Sequence, residues 1–209
     1  MAEAAHARGL MSPERLVTFC DAVFAIAMTL LALELHLPEG ALHGGGDLTA
    51  ALLATWPKVL SFAISFVAIA QFWRAHLRAF TWIDRVDTRL VTLNLLLLMV
   101  VCFLPFPTAV LGDAGNETPA VIFYAGSIAA ASLIQALIWV YAARDGRLLK
   151  ADTPEEVRRL GMWRSLIPFS VFAVSIAIAL VGYPGAAMYS WIAIVPLFRV
   201  LGVVHSRMS

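Results

Sequence analysis

The sequence predicts an all-α integral membrane subunit with six spanning helices and both termini in the cytoplasm. Three observations predict it. The chain has 209 residues, 61% of them hydrophobic and only 14% charged; a soluble domain carries roughly 45–50% apolar and about 25% charged residues. Six apolar runs, near 16–37, 51–73, 90–111, 119–142, 164–183 and 186–204, are each long enough for a helix, since a hydrocarbon core ~30 Å thick takes ~20 residues. The basic residues fall in alternate connections.

The runs are continuous rather than alternating, which argues for helices and against barrel strands. No internal repeat or low-complexity segment divides the chain, so 1–209 reads as one domain. Residues 1–13 are too polar for a signal-peptide core, and no cleavable signal is expected. Net charge is +1 with no basic run, which gives no reason to expect a nucleic-acid partner. Cys20 and Cys102 lie in apolar spans without CxxC spacing, so neither a disulfide framework nor a metal site is indicated.

Orientation follows from the cations. Arg8 and Arg15 precede the first span. Arg74, Arg78, Arg85 and Arg89 separate spans two and three, and Arg144, Arg147, Lys150, Arg158, Arg159 and Arg164 separate spans four and five. Arg199 and Arg207 close the chain. The other connections carry Glu39, Asp47, Asp113 and Glu117, with only Lys58 nearby. Basic loops stay inside, so both ends are cytoplasmic. Gly44–Gly46 reads as part of a flexible external link.

The first span is the most informative. Asp21 sits about two turns in from its basic end, and an ionisable group inside a membrane helix is a functional-site hypothesis by default. At about 100° per residue, Ile26, Leu30, Leu33 and Leu37 share one stripe, with Phe19 and Ala22 below and Thr29 at the edge. Asp21 points about 140° away from Ile26. It shares its face with Ala25, Met28 and Ala32, whose small members suit close helix packing. The aliphatic stripe fits ordinary lipid contact or packing as well as a specialised role. Asp21 fits an interhelical anchor, because Trp73, His76, Arg89 and Asn94 occupy similar depth and buried charges need partners.

Arg15-x-x-x-Phe19-Cys20-Asp21, followed by Val23-Phe24-Ala25-Ile26-Ala27 and Thr29-Leu30-Leu31, resembles the first-helix signature of the transmembrane protein 175 family. Trp73-x-x-His76 is a second cue. Leu93-Asn94-Leu95-Leu96 leading to Phe103-Leu104-Pro105-Phe106-Pro107-Thr108 is a third. Specific motifs cover spans one to three; spans four to six match in hydropathy alone. The resemblance implies a potassium-selective or potassium-preferring cation channel, with potassium as the permeant ion and no cofactor. It implies a homotetramer in a bacterial cell membrane, surrounded by lipid, with the first helix of each subunit lining the central pore. The family's narrowest point falls eleven residues after the motif arginine, at Ile26, with further constrictions one and two turns on at Leu30 and Leu33. The aliphatic stripe drawn from periodicity coincides with that face, which favours the pore reading.

Beside the Ile26 ring, Thr29 offers hydroxyls. Glu34, near the external mouth, either concentrates cations or is a solvated helix-end charge. Arg15, Phe19, Cys20, Asp21, Trp73, His76 and Asn94 form the motif and its structural and gating network. Cys20 departs from the family's serine, and a thiol hydrogen-bonds more weakly than a hydroxyl. The rival reading is a proton-coupled secondary transporter using Asp21 and His76, but transporters show repeats and broken midplane helices, which are not evident here. An enzyme is not expected: His6, His36, His43 and His205 are scattered. Val181-Gly182-Tyr183-Pro184-Gly185 superficially resembles the T-V-G-Y-G potassium filter. Leu180 in place of threonine and the break at Pro184 make it a tight turn instead.

Overall fold

The computed structural model describes residues 12–37, 47–115, 117–194 and 197. Helix α1, Pro13–Leu30, starts where Pro13 presets the helical backbone angle. Ser12 caps it, its Oγ accepting from the Arg15 N–H at 3.4 Å. The last turn of this span tightens into a 3₁₀ turn, Leu31–Glu34. A short α2, Leu48–Ala54, is capped by Asp47. Then come α3, Trp56–Trp82, and α4, Thr88–Phe103, the latter capped by Asp87. Helix α5, Pro105–Ala114, continues α4 after a break at Leu104. Pro105 and Pro107 have no N–H, so the carbonyls of Val101 and Phe103 lose their usual donors. Leu104 N–H reaches back only to Val101 instead.

Helix α6 is Thr118–Ala143, α7 is Glu155–Leu180, and α8 is Pro184–Ser190, followed by a 3₁₀ turn Trp191–Ala193. Among the described residues five stretches are long and apolar enough to cross a membrane: Pro13–Glu34, Trp56–Trp82, Thr88–Ala114, Thr118–Gly146 and Glu155–Leu180. The expected sixth, 186–204, passes through α8, and most of its second half lies outside the described residues. Arg8, Glu39, Gly44–Gly46, His6, His43, His205, Arg199 and Arg207 also lie outside them.

Two span boundaries differ from the sequence reading. Helix α3 runs to Trp82 rather than stopping at 73, so Arg74 and Arg78 are on a helix and not in a loop. Helix α7 starts at Glu155 rather than 164, which places Arg158, Arg159 and Arg164 on its first turns. The reason is amphipathicity. Between 74 and 82 the arginines face outward, while His76, Ala79 and Phe80 keep the buried register of Ser61, Ser65, Ile69 and Phe72. A hydropathy window ends at the first charge, but the backbone ladder does not.

Helix α6 is the hub, packing against α7, α5, α4 and α3. Its Tyr124 is fully buried, and its hydroxyl accepts from Ser65 at 3.1 Å, whose own oxygen accepts from Thr108 at 2.7 Å. These hydroxyls join α3, α5 and α6, because buried polar groups must find partners where water is absent. On the other flank Trp139 lies over Gly161 and donates to the Arg158 carbonyl at 3.0 Å. A Cβ at Gly161 would stand 2.2 Å from the indole, so only glycine lets α7 approach this closely. The 181–183 segment is a turn, with Gly182 at φ +95, a region glycine enters without a steric cost.

At the basic end of the bundle the connections are zipped together. Ile83 and Leu149 form an antiparallel bridge, Asp84 N–H bonds Leu148 O at 2.8 Å and Lys150 N–H bonds Trp82 O at 2.9 Å. Beside them Tyr141 donates to Asp87 Oδ2 at 2.5 Å, and Arg147 lies 3.6 Å from the same oxygen. Burial alone raises the Asp87 carboxyl. The Tyr141 hydroxyl, the Leu90 N–H and Arg147 outweigh it and hold the group below its ordinary value. A depressed acid stabilises the fold above its unfolded pKa, and that contribution disappears as pH falls through the folded value. Asp87→Asn is therefore expected to melt lower than the natural protein at pH 7. Melting curves of the two should converge under acid conditions below the ordinary carboxylate range. An equal gap at all pH values would assign the effect to geometry and not charge.

Candidate pore-lining helix and its anchors

Helix α1 packs on α3 and α4 along one seam. Leu16, Cys20, Phe24, Ala27 and Leu31 are all at most 1% exposed. The seam corrects the wheel drawn from sequence. The small-residue face was expected to pack, but Ala25 and Ala32 are exposed, and Asp21 and Met28 lie at the margin. Large side chains fill the gap between helices here, and the 4-4-3-4 spacing of the seam is concealed by a helix that is apolar nearly all round.

The opposite side of α1 is exposed among the described residues. Its exposed arc spans about 140°, from Ala25 through Thr18, Thr29, Ala22, Ile26 and Phe19 to Leu30. Ile26 is 56% exposed and Leu33 74%. The 3₁₀ turn brings Leu33 over Leu30, since residues three apart eclipse in that geometry. Thr29 Oγ1 donates its proton to the Ile26 carbonyl at 2.8 Å, which leaves the hydroxyl lone pairs facing outward as acceptors.

The motif residues divide into two pairs rather than one network. Trp73 Nε1 donates to Asp21 Oδ1 at 2.8 Å and ties α1 to α3. His76 Nε2 lies 2.9 Å from Asn94 Oδ1, and Asn94 Nδ2 donates to the Leu90 carbonyl at 2.8 Å, joining α3 to α4. Because the Asn94 amide nitrogen is occupied, its oxygen accepts and His76 carries the proton on Nε2. His76 and Asn94 are fully buried. The imidazole stacks on Phe80 at 4.5 Å and lies 5.9 Å from Phe24 of the α1 seam. Cys20 fits this seam without a hydrogen-bonded partner among the described residues. Arg15 is exposed and forms no ion pair among the described residues.

At the opposite end Glu34 faces a small cavity with His36, Lys58 and Asp113. Lys58 is the hub of this cluster, 2.8 Å from Asp113 and 3.0 Å from His36. Sequence reading noted Lys58 only as a stray cation; its partners lie on separate elements and have no common spacing in the chain. A neighbouring groove is lined by Leu30, Leu33 and Glu34 with Cys102, Phe103 and Phe106. Among the described residues no three His, Cys, Asp or Glu side chains converge as a metal site would require.

Long apolar helices joined by buried polar contacts, such as Asp21–Trp73 and His76–Asn94, define a helical membrane protein. The model of the endosomal/lysosomal potassium channel TMEM175 family matches residues 15–105. The chain is 37% identical over 172 residues to a potassium channel of Chamaesiphon minutus, covering 78% of this chain and 85% of that protein. It is 34% identical to a potassium channel of Streptomyces collinus, covering 81% and 84%. A human endosomal/lysosomal proton channel TMEM175 is 26% identical over 152 residues, 72% of this chain and 30% of that protein. The crystal structure of the Chamaesiphon lysosomal potassium-selective channel homolog superposes with TM-score 0.78 at 30% identity, covering 90% of this chain and 96% of that one. This chain belongs to the TMEM175 family of ion channels, and it is a multi-pass membrane protein.

Proposed function

We propose that the protein conducts potassium in preference to sodium through a pore lined by α1 of four identical subunits. Each subunit crosses a bacterial cell membrane six times with both ends cytoplasmic. The observation that carries this reading is the division of α1 into a fully packed seam and a broad exposed face. Thr18 and Thr29 put hydroxyl oxygens on that face, each with lone pairs left after donating to a carbonyl of its own helix. The Asp21–Trp73 tie holds one end of α1 at a fixed rotation. The 3₁₀ turn aligns Leu33 with Leu30 at the other.

In this arrangement Ile26 rings the narrowest point. An aliphatic ring closes a pore by dewetting. When it opens, an ion passing it gives up part of its hydration shell, which potassium does more readily than sodium. Thr29 lone pairs, one turn away, compensate the ion for the lost water. Glu34 raises the local cation concentration at the external mouth. The higher identity to bacterial potassium channels than to the vertebrate proton channel favours potassium as the main ion.

The proton-coupled transporter reading required Asp21 and His76 to act together. Each instead has its own partner on a different helix, and no bond joins the two. Reconstitution into liposomes loaded with potassium, with flux measured against external sodium, tests the proposal. Uncoupled, potassium-favouring current down its gradient is expected. Saturable flux that stops without a proton gradient would replace the channel by the transporter.

A further inference from the structure

We propose that Lys58 is a tethered cation that fills a metal-type donor set at the Glu34 end of α1 and so keeps divalent metal ions out of it. Three segments supply the donors. Glu34 closes the 3₁₀ turn of the first span, His36 follows it and Asp113 lies on α5. All three line one cavity with Lys58 of α3. The Lys58 nitrogen stands 2.8 Å from Asp113 Oδ1 and 3.0 Å from His36 Nε2. An ammonium has donors only, so His36 Nε2 meets it with a lone pair and the ring proton sits on Nδ1. A neutral imidazole nitrogen and carboxylate oxygens are the donors that zinc takes, at about 2.0–2.2 Å. A metal ion in the ammonium's place would draw each of these two donors in by only about 1 Å.

The lysine is held in position by packing. Its side chain is 20% exposed, against 58% for Asp113. Gly112 lets α5 approach α3 here, since a Cβ on it would stand 3.2 Å from Lys58 Cα and 2.8 Å from Ser61 Oγ. Ser61 Oγ in turn donates to the Lys58 carbonyl at 2.9 Å. The packed stem delivers its charge to the point where the imidazole and the carboxylate meet. The space left over is about 10 Å³, room for one water and not for a hydrated ion beside the ammonium. With the lysine in place, no three His, Cys, Asp or Glu side chains among the described residues converge as a metal site requires. Without it, two carboxylates and an imidazole would border a vacated position suited to a divalent ion. If α1 lines a pore, the same ammonium keeps its Glu34 end clear of bound divalent ions. Metal binding is measured without current, so its outcome is separate from that of the pore reading.

The test titrates the purified, assembled protein in detergent with zinc chloride at pH 7, reading stoichiometry by calorimetry and stability by melting. K58M keeps the apolar stem and removes the charge. It is expected to bind one zinc ion per subunit more than the natural protein, with an affinity for that ion at least tenfold higher. Zinc should also raise its melting temperature, as a ligand of the folded state does. K58M/H36A should lose the added ion. In the natural protein H36A should leave zinc stoichiometry unchanged, because the ammonium already occupies the imidazole. A folded K58M protein that takes up no further zinc would overturn the donor set. Zinc bound by the natural protein and lost with H36A would overturn exclusion by Lys58, and that result does not depend on any lysine variant folding.

Discussion

Replacing Ile26 by Asn is expected to collapse the potassium-over-sodium permeability ratio toward unity while raising sodium current. Ile26 lies on the helical part of α1, midway between the Asp21–Trp73 tie and the 3₁₀ turn, so its direction is set from both ends. Its carbonyl holds the Thr29 hydroxyl, which fixes the one polar group beside it. A branched hydrocarbon at this position offers an ion nothing in exchange for water, and the ion with the cheaper shell passes. Asparagine supplies an amide that hydrogen-bonds water and ligates either cation. It removes both the dewetting barrier and the dehydration difference. The substituted side chain is exposed within the subunit, so the fold should tolerate it with little loss. Bi-ionic reversal potentials give the ratio directly. An unchanged ratio with normal current would place the filter elsewhere on the conduction path.

The second large effect is structural. Asn94→Leu is expected to destabilise the subunit by about 2 kcal/mol, more than an average membrane hydrogen bond. Double-mutant cycles in a membrane protein average only ~0.6 kcal/mol per interhelical bond. Here, however, the substitution orphans a fully buried His76 Nε2–H, and an unsatisfied buried donor costs about 1–3 kcal/mol by itself. Replacing both partners by apolar groups removes that orphan. The double variant His76→Leu/Asn94→Leu is therefore expected to melt above Asn94→Leu alone. A double variant less stable than the single would show that the stacking of His76 on Phe80 and Phe24 outweighs its hydrogen bond.

Much of this was legible in the sequence because membrane constraints are simple. Apolar length places the helix near 119–142 within a residue of Thr118–Ala143, whose ends are uncharged. It misses the end of α3, whose last turns carry arginines on one face and core residues on the other, and the start of α7, whose first turns carry Arg158, Arg159 and Arg164. The aliphatic stripe of α1 follows from period, since Phe19, Ile26, Leu30 and Leu33 are spaced for one face, but period leaves open whether that face is packed or exposed. The buried seam did not, because periodicity loses contrast in a helix where every face is apolar. Asp21, Trp73, His76 and Asn94 were chosen by depth and by resemblance. Which one bonds which depends on helix rotation, and rotation is set by packing rather than by local sequence. The Tyr124–Ser65–Thr108 chain and the Lys58 hub join three elements each, and no spacing along the chain encodes such meetings.

The measurement that tests the account most directly is block of current through an Ile26→Cys channel in which Cys20 and Cys102 have been replaced by Ser and Ala. A small water-soluble thiol reagent, applied during potassium conduction, is expected to abolish the current, because water and ions reach position 26 only through the pore. Full conduction after exposure, with the thiol shown by mass to be modified or sealed in lipid, would contradict a pore lined by this face of α1.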